Sequence, residues 1–207
     1  MAYTTIDDPT IYFNTKLYTG NGSTNAITGV GFQPDWVWIK DRDTQQHHRL
    51  ADSVRGVKKN LKSDQTDLEN TTDSNDGMAS FDSDGFTLTE DNDDHGYNAN
   101  SSSQVSWNWK AANSSGSSNS DGSITSTVSS NQTAGFSIVS YTGTGSNATV
   151  GHGLGVAPKW YITKNRDTAD NWLVYHESIG NTKGAFLNVF LAFQLCDGLE
   201  KTVQYYT

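Results

Sequence analysis

The feature that most constrains this chain is an internal sequence repeat. One segment reads YTGNGSTNAITGVGFQPDWVWIKDRDT from Tyr18 to Thr44, and another reads YTGTGSNATVGHGLGVAPKWYITKNRDT from Tyr141 to Thr168. The offset is 123 residues at the tyrosines and 124 from Pro34/Pro158 onward, so one residue is inserted between. From Pro34 to Lys59 the register holds without gaps and eight positions are identical: the Pro, Trp, Lys, Arg, Asp and Thr of a PxWxxxKxRDT pattern, then Gly56/Gly180 and Lys59/Lys183. An ungapped match in residues this uncommon predicts two copies of one structural unit. The first copy continues through FDSDGFTLTE (Phe81–Glu90) and QVSWNWKAA (Gln104–Ala112), whose counterparts would fall at roughly 205–236, while the sequence reaches Thr207. The expected organisation is a first module over residues 1–112, a Ser/Asn/Gly-rich linker over 113–134, and a truncated second copy over 135–207.

Local patterning makes both units β-structured. Trp36-Val37-Trp38-Ile39 is apolar on both faces, as in a central strand covered on two sides, and its counterpart is Trp160-Tyr161-Ile162-Thr163. Val105, Trp107 and Trp109 alternate with Ser106, Asn108 and Lys110, which predicts a half-buried strand with the tryptophans in the core. Phe136–Tyr141 and Trp172–Tyr175 read as further strands, and Phe81–Phe86 as a tight turn in which Gly85 adopts positive φ. Asp52–Leu61 is the one candidate for a short helix. The 113–134 segment has the composition of a linker, with a short edge strand at Ser123–Val128 as the alternative. Hydrophobic residues make up only 34% of the chain, so the core must lean on its six Trp, nine Tyr and eight Phe, each able to bury about 150–250 Å². The predicted fold class is all-β: two tandem β-sandwich-like modules, the second incomplete.

The formal net charge of −9 makes the chain a poor nucleic-acid binder, because that binding relies on Lys and Arg meeting phosphates. Charge is unevenly spread: seven basic residues lie between Lys40 and Lys62, and eleven acidic residues with no basic one between Ser63 and Trp109. With one cysteine, Cys196, no intrachain disulfide forms. The polar N-terminus shows no signal peptide, and the longest apolar run, Val189–Phe193, is too short to span a bilayer, so no membrane insertion is expected.

No catalytic constellation stands out, and no enzymatic activity is expected. There is no G-x-S-x-G, Walker loop or G-x-G-x-x-G, and His176-Glu177 lacks the second histidine of a zincin helix because Gly180 stands in its place. The nearest metal-like pattern is the acidic loop of Asp91, Asp93 and Asp94. It has carboxylates at calcium-loop positions 1 and 3 and Gly96 at position 6, but His95 at position 5 and Ser102 at position 12. A plain acidic loop is the simpler reading, and Ca²⁺ is the only cofactor with any pattern behind it. His47-His48-Arg49 has Asn171-Trp172-Leu173 at the matching positions, so the repeat does not carry a histidine site. The shared Lys40/Lys164, Arg42/Arg166 and Asp43/Asp167 are candidates for a recurrent ligand contact; the simpler reading is that the arginines and aspartates organise the turn after the central strand through hydrogen bonds. Trp36, Trp38, Trp107, Trp109 and Trp160 read as core.

The longer motifs carry a resemblance. MAYTTIDDP, LYTGNGS, GFQPDWVWIK, DSVRG, FDSDGFTL, VSWNWKAA, GSITSTVS, AGFSIVSYTGTGS, ATVGHGLGVAPK and VYHESIGNTK together are similar to virion proteins of marine tailed phages. These are cyanophage- and pelagiphage-type tail, knob or fibre-associated proteins, in which the module is a domain of unknown function. The likeness covers Met1 to Asn188 and departs in the apolar tail that follows. It implies a structural or adhesive role in the virion, assembly with other virion proteins and with further copies of the chain, and no established enzymatic activity. Host-surface attachment and, alternatively, a lectin-like glycan-binding role accompany it. Phe186, Phe190 and Phe193 are the candidate assembly contacts of the second module, whose unpaired strand edges predict completion against a neighbouring subunit.

Overall fold

The computed structural model describes residues 6–70, 77–89, 96–189, 196–197 and 204–206. Among them the chain is all-β, with several antiparallel sheets arranged in two halves and only two short 3-10 turns, Pro9–Ile11 and Glu177–Ile179. The first half contains β1 (Phe13–Thr19), β2 (Asn25–Thr28), β3 (Trp36–Asp41), β4 (Arg49–Asp52), β5 (Leu61–Lys62), β6 (Met78–Asp82), β7 (Gly85–Leu88) and β8 (Ser103–Trp109). The second contains β9 (Ser117–Asn119), β10 (Ser126–Asn131), β11 (Phe136–Ser140), β12 (Thr149–Gly151), β13 (Trp160–Thr163), β14 (Leu173–His176), β15 (Lys183–Phe186), β16 (Cys196–Asp197) and β17 (Gln204–Tyr206).

In the first half, a sheet of order β1-β8-β3-β4-β5 faces a sheet of order β2-β7-β6. Val37, Ile39 and Ala51 from the larger sheet meet Ile27, Met78, Phe86 and Leu88 from the smaller, with Tyr97 closing one side. Burying each large member contributes about 1.5–3 kcal/mol. The β6–β7 hairpin turns through Asp82–Gly85 as its Asp/Gly pattern predicts. Gly85 has φ 149°, and an added Cβ would lie 1.9 Å from the Ile27 carbonyl oxygen, so β2 can pair there only with a glycine.

Three local expectations are corrected. First, β8 is inverted: Gln104, Ser106 and Asn108 are fully buried and face inward, while Val105, Trp107 and Trp109 lie half-buried on the outer face. Their amide nitrogens find partners, while Gln104 Oε1 and Asn108 Oδ1 are buried without one among the described residues. Gln104 Nε2 donates to Asp41 Oδ2 (2.9 Å), and Asn108 Nδ2 donates to the Asn14 carbonyl (3.1 Å). The tryptophans instead build an outer aromatic layer, with ring centroids 6.2 Å apart for Trp36/Trp109 and 6.4 Å for Trp38/Trp107. Second, Asp52–Leu61 forms turns and no helix, because Gly56 and Lys58 have φ of 90° and 60°, outside right-handed helical space. Third, the linker-like segment carries β9 and β10, and β10 is the middle strand of the sheet β11-β10-β9, with Ile124 and Val128 buried.

The remaining sheets are β13-β14-β15-β16 and the parallel pair β12-β17. The two halves share a second core, in which Leu50 and Leu61 pack with Trp172, flanked by Trp36, Trp38, Ile162 and Leu187. The Trp172 indole N–H donates to the Lys62 carbonyl at 2.8 Å. The Phe136 ring stacks on Trp109 at 6.2 Å, tilts against Trp36 at 5.7 Å, and so caps the aromatic layer from the second half.

Candidate functional site

The same turn follows β3 and β13. Asp41 Oδ1 accepts from the Asp43 and Thr44 N–H groups at 2.8 Å each, and Asn165 Oδ1 accepts from those of Asp167 (2.9 Å) and Thr168 (3.3 Å). Lys40 donates to the carbonyls of Asp41 and Thr44, and Lys164 to those of Asn165 and Thr168. The repeated lysine thus ties the turn, a role the sequence assigned to the repeated arginine and aspartate. Burial works to raise the Asp41 carboxyl, but hydrogen bonds from Ser102, Thr44, Asp43 and Gln104 outweigh it and hold it below its ordinary value.

The repeated arginine acts differently from the turn role expected for it. Arg166 crosses between the halves and grips Glu69 with two donors, Nη2 to Oε1 at 2.7 Å and Nε to Oε2 at 3.0 Å. Arg55 Nη1 also donates to Glu69 Oε2 (2.9 Å), and its Nε binds Asp52. Burial opposes charge on Glu69, yet the hydrogen bonds of Arg166 and Arg55 win and depress its carboxyl. Glu69 is the anchor that sequence reading missed. It lies in an acidic run that reads as solvated surface, and Arg166 is 97 residues away.

A cleft of about 1330 Å³ is lined mainly by the second half, with a few residues of the first. One wall is β11 from Phe136 to Ser140, continuing to Tyr141; the other is β13 with its flanks, from Pro158 to Arg166; Trp36, Leu50 and Arg55 also line it. Both walls are sheet edges: β11 pairs only with β10, and β13 only with β14, among the described residues. Glu177 N–H donates to the Lys159 carbonyl at 2.8 Å, which fixes the alternation of β13. The backbone groups of Tyr161 and Thr163 are directed at β14, and those of Trp160 and Ile162 at the cleft. Tyr161 and Tyr175 stack at 4.8 Å. Burial, with Tyr175 and then Tyr141 nearby, pushes the Tyr161 hydroxyl up to about 12. At one end Arg166 Nη1 donates to Ser140 Oγ (3.1 Å). Trp160, expected in a covered central strand, is instead 50% exposed on this edge. Such a cleft offers unpaired backbone groups and aromatic faces, the requirements for adding a strand or stacking a ring.

The other candidate residues are dispersed. Asp91, Asp93 and Asp94 lie outside the described residues, as do Phe190 and Phe193; Phe186 is half-buried in β15 opposite Leu173. Among the described residues no cluster of His, Cys, Asp or Glu is arranged to hold a metal ion. Trp38 Nε1 donates to His48 Nδ1 (2.9 Å), and His47 pairs with Asp64 (2.9 Å). Burial, with Lys40 and His47 nearby, pushes the His48 imidazole below its ordinary value against the pull of Asp64. His176 Nδ1 accepts from the Ser178 N–H and starts a 3-10 turn. No helix among the described residues is long and apolar enough to cross a membrane.

Residues 8–199 match a family described as a domain of unknown function (DUF7483). The chain belongs to that family. The matched span takes in the strands from β1 to β16, so the family unit includes both walls of the cleft. No curated protein and no solved structure matches the chain.

Proposed function

We propose that this protein is a structural component of a phage virion, a tail-associated knob, fibre or adhesin subunit that works through protein–protein assembly. In this reading the chain is two tandem β-sandwich modules descended from one, the second lacking counterparts of β6, β7 and β8 among its described strands. The matching turns at Lys40 and Lys164 support the common origin. The observation that carries the assembly role is the cleft with two open strand edges, since unpaired edges recruit other chains unless they are covered. Partners are other virion proteins and further copies of the chain, the location is the assembled particle, and the chemistry is non-enzymatic. Mass spectrometry and immunogold labelling of purified particles test this. The chain is expected at fixed stoichiometry on the tail; its absence from intact particles would reject the reading. A second reading, host-glycan binding, draws on the exposed Trp160 in an aromatic cleft. Oligosaccharide quenching of its fluorescence would favour it.

A further inference from the structure

The two halves differ at one place that defines a ligand. In the first half β1 and β3 are not neighbours: β8 lies between them, antiparallel to both. β11 occupies the position of β1 at the 123-residue offset, and β13 that of β3 at the 124-residue offset. Adjacent strands lie about 4.8 Å apart, so removing a middle strand leaves edges roughly 9.6 Å apart, the width of one strand. Both edges line the cleft along their lengths.

We infer that the cleft between β11 and β13 is the acceptor for one extended segment of a separate polypeptide, inserted antiparallel to both edges and carrying the alternation of β8. This rests on the assembly reading above and names the chemistry of the partner. Register supplies the detail. Trp109 of β8 sits between Phe13 and Trp36, whose matching positions are Phe136 and Trp160. An aromatic side chain of the incoming strand therefore seats between Phe136 and Trp160 and covers the exposed indole. Two residues earlier, Trp107 sits between Thr15 and Trp38, matching Ile138 and Ile162, so that position is also large and apolar. The alternate positions, Ser106 and Asn108 in β8, are small and polar and face the side of Tyr161 and Tyr175. The cleft-facing backbone groups of Trp160 and Ile162 pair with the insert, which makes main-chain hydrogen bonds the source of affinity and the two large positions the source of selectivity.

The first half supplies its own probe: a synthetic peptide of residues Ser103–Ala112, SQVSWNWKAA, added to the full chain. Amide hydrogen exchange is read at β11 and β13. The expected result is saturable slowing of Trp160 and Ile162 exchange by at least about tenfold, with no change in β14, and loss of the effect when the peptide carries Trp107→Pro. Modifying the peptide leaves the folding of the protein untouched. Any of four exchange or assembly results overturns the inference, and a fifth, from oligosaccharide binding, does too. The four are no protection at millimolar peptide, protection confined to the first half, cleft amides already as slow as β14 without peptide, and peptide-free dimers joined through β13. Oligosaccharide binding that quenches Trp160 while the cleft amides stay fast also overturns it, in favour of a glycan site. Particle association is measured separately. A virion protein that ignores the peptide loses this inference alone, and a peptide binder absent from particles loses only the virion reading.

Discussion

The first half and the second half start from similar sequence and end with different edges. In the first, β3 is flanked on both sides, its Val37 and Ile39 are wholly buried, and Trp36 is packed between Trp109 and Phe136. In the second, β13 has a neighbour on one side among the described residues, and Trp160, at the position of Trp36, is half in solvent. The same strand is therefore interior or edge according to whether another segment lies beside it. A side chain that would complete a core becomes a contact surface when that segment is elsewhere.

The comparison is broken most severely at the joint. Glu69→Ala removes the acceptor shared by Arg55 and Arg166 and leaves buried positive charge short of a partner, so it is expected to cost about 3–5 kcal/mol in urea unfolding. It is also expected to split unfolding into separate steps for the two halves; an unchanged single transition would mean the cluster does not couple them. Next is the inverted strand. Ser106→Leu forces volume into a filled interior and is expected to cost about 1–3 kcal/mol, whereas Val105→Thr on the outer face stays within about 0.5 kcal/mol. The opposite ranking would restore the sequence expectation that the tryptophan face is the core.

Acid distinguishes the two turns. The folded-state carboxyls of Asp41 and Glu69 lie below their ordinary values. Their stabilisation is fully present above the unfolded-state values, near pH 4, and is lost as pH falls through that point toward the folded values. Asn165 holds the corresponding turn of the second half without titrating. Asp41→Asn is therefore expected to flatten the decline in stability of the first half below about pH 4 in acid titrations followed by residue-resolved NMR. The second half should keep the slope set by Glu69. The smallest effect belongs to Trp160→Ala, within about 1 kcal/mol by denaturation because the indole is already half solvated. The same change at Trp36 removes packing from two aromatic neighbours, Trp109 and Phe136, and should cost clearly more.

Much of the architecture was legible locally. The repeat located β3, β13 and their turns, and the Asp/Gly pattern located the β6–β7 hairpin. Phe136–Tyr141 and Trp172–Tyr175 fall on β11 and β14. The errors have a common cause: alternation shows that a strand has two faces but not which one turns inward. In β8 the polar face lies inside, where Gln104 meets Asp41, and the large aromatics form the layer on which the second half docks. Composition misled in the same way at 113–134, where Ser and Thr form a middle strand because backbone pairing with β9 and β11 does not depend on apolar side chains.

What the sequence determined by itself is the β class and the repeated turn, because these follow from residue order and local geometry. What only the tertiary structure decided is that the edges of β11 and β13 line one cleft beside the first half. That outcome depends on Arg55, Glu69 and Arg166 converging from distant parts of the chain and on Phe136 docking against Trp36 and Trp109. No local pattern encodes either contact, since each becomes favourable only when long-range packing has removed both partners from water.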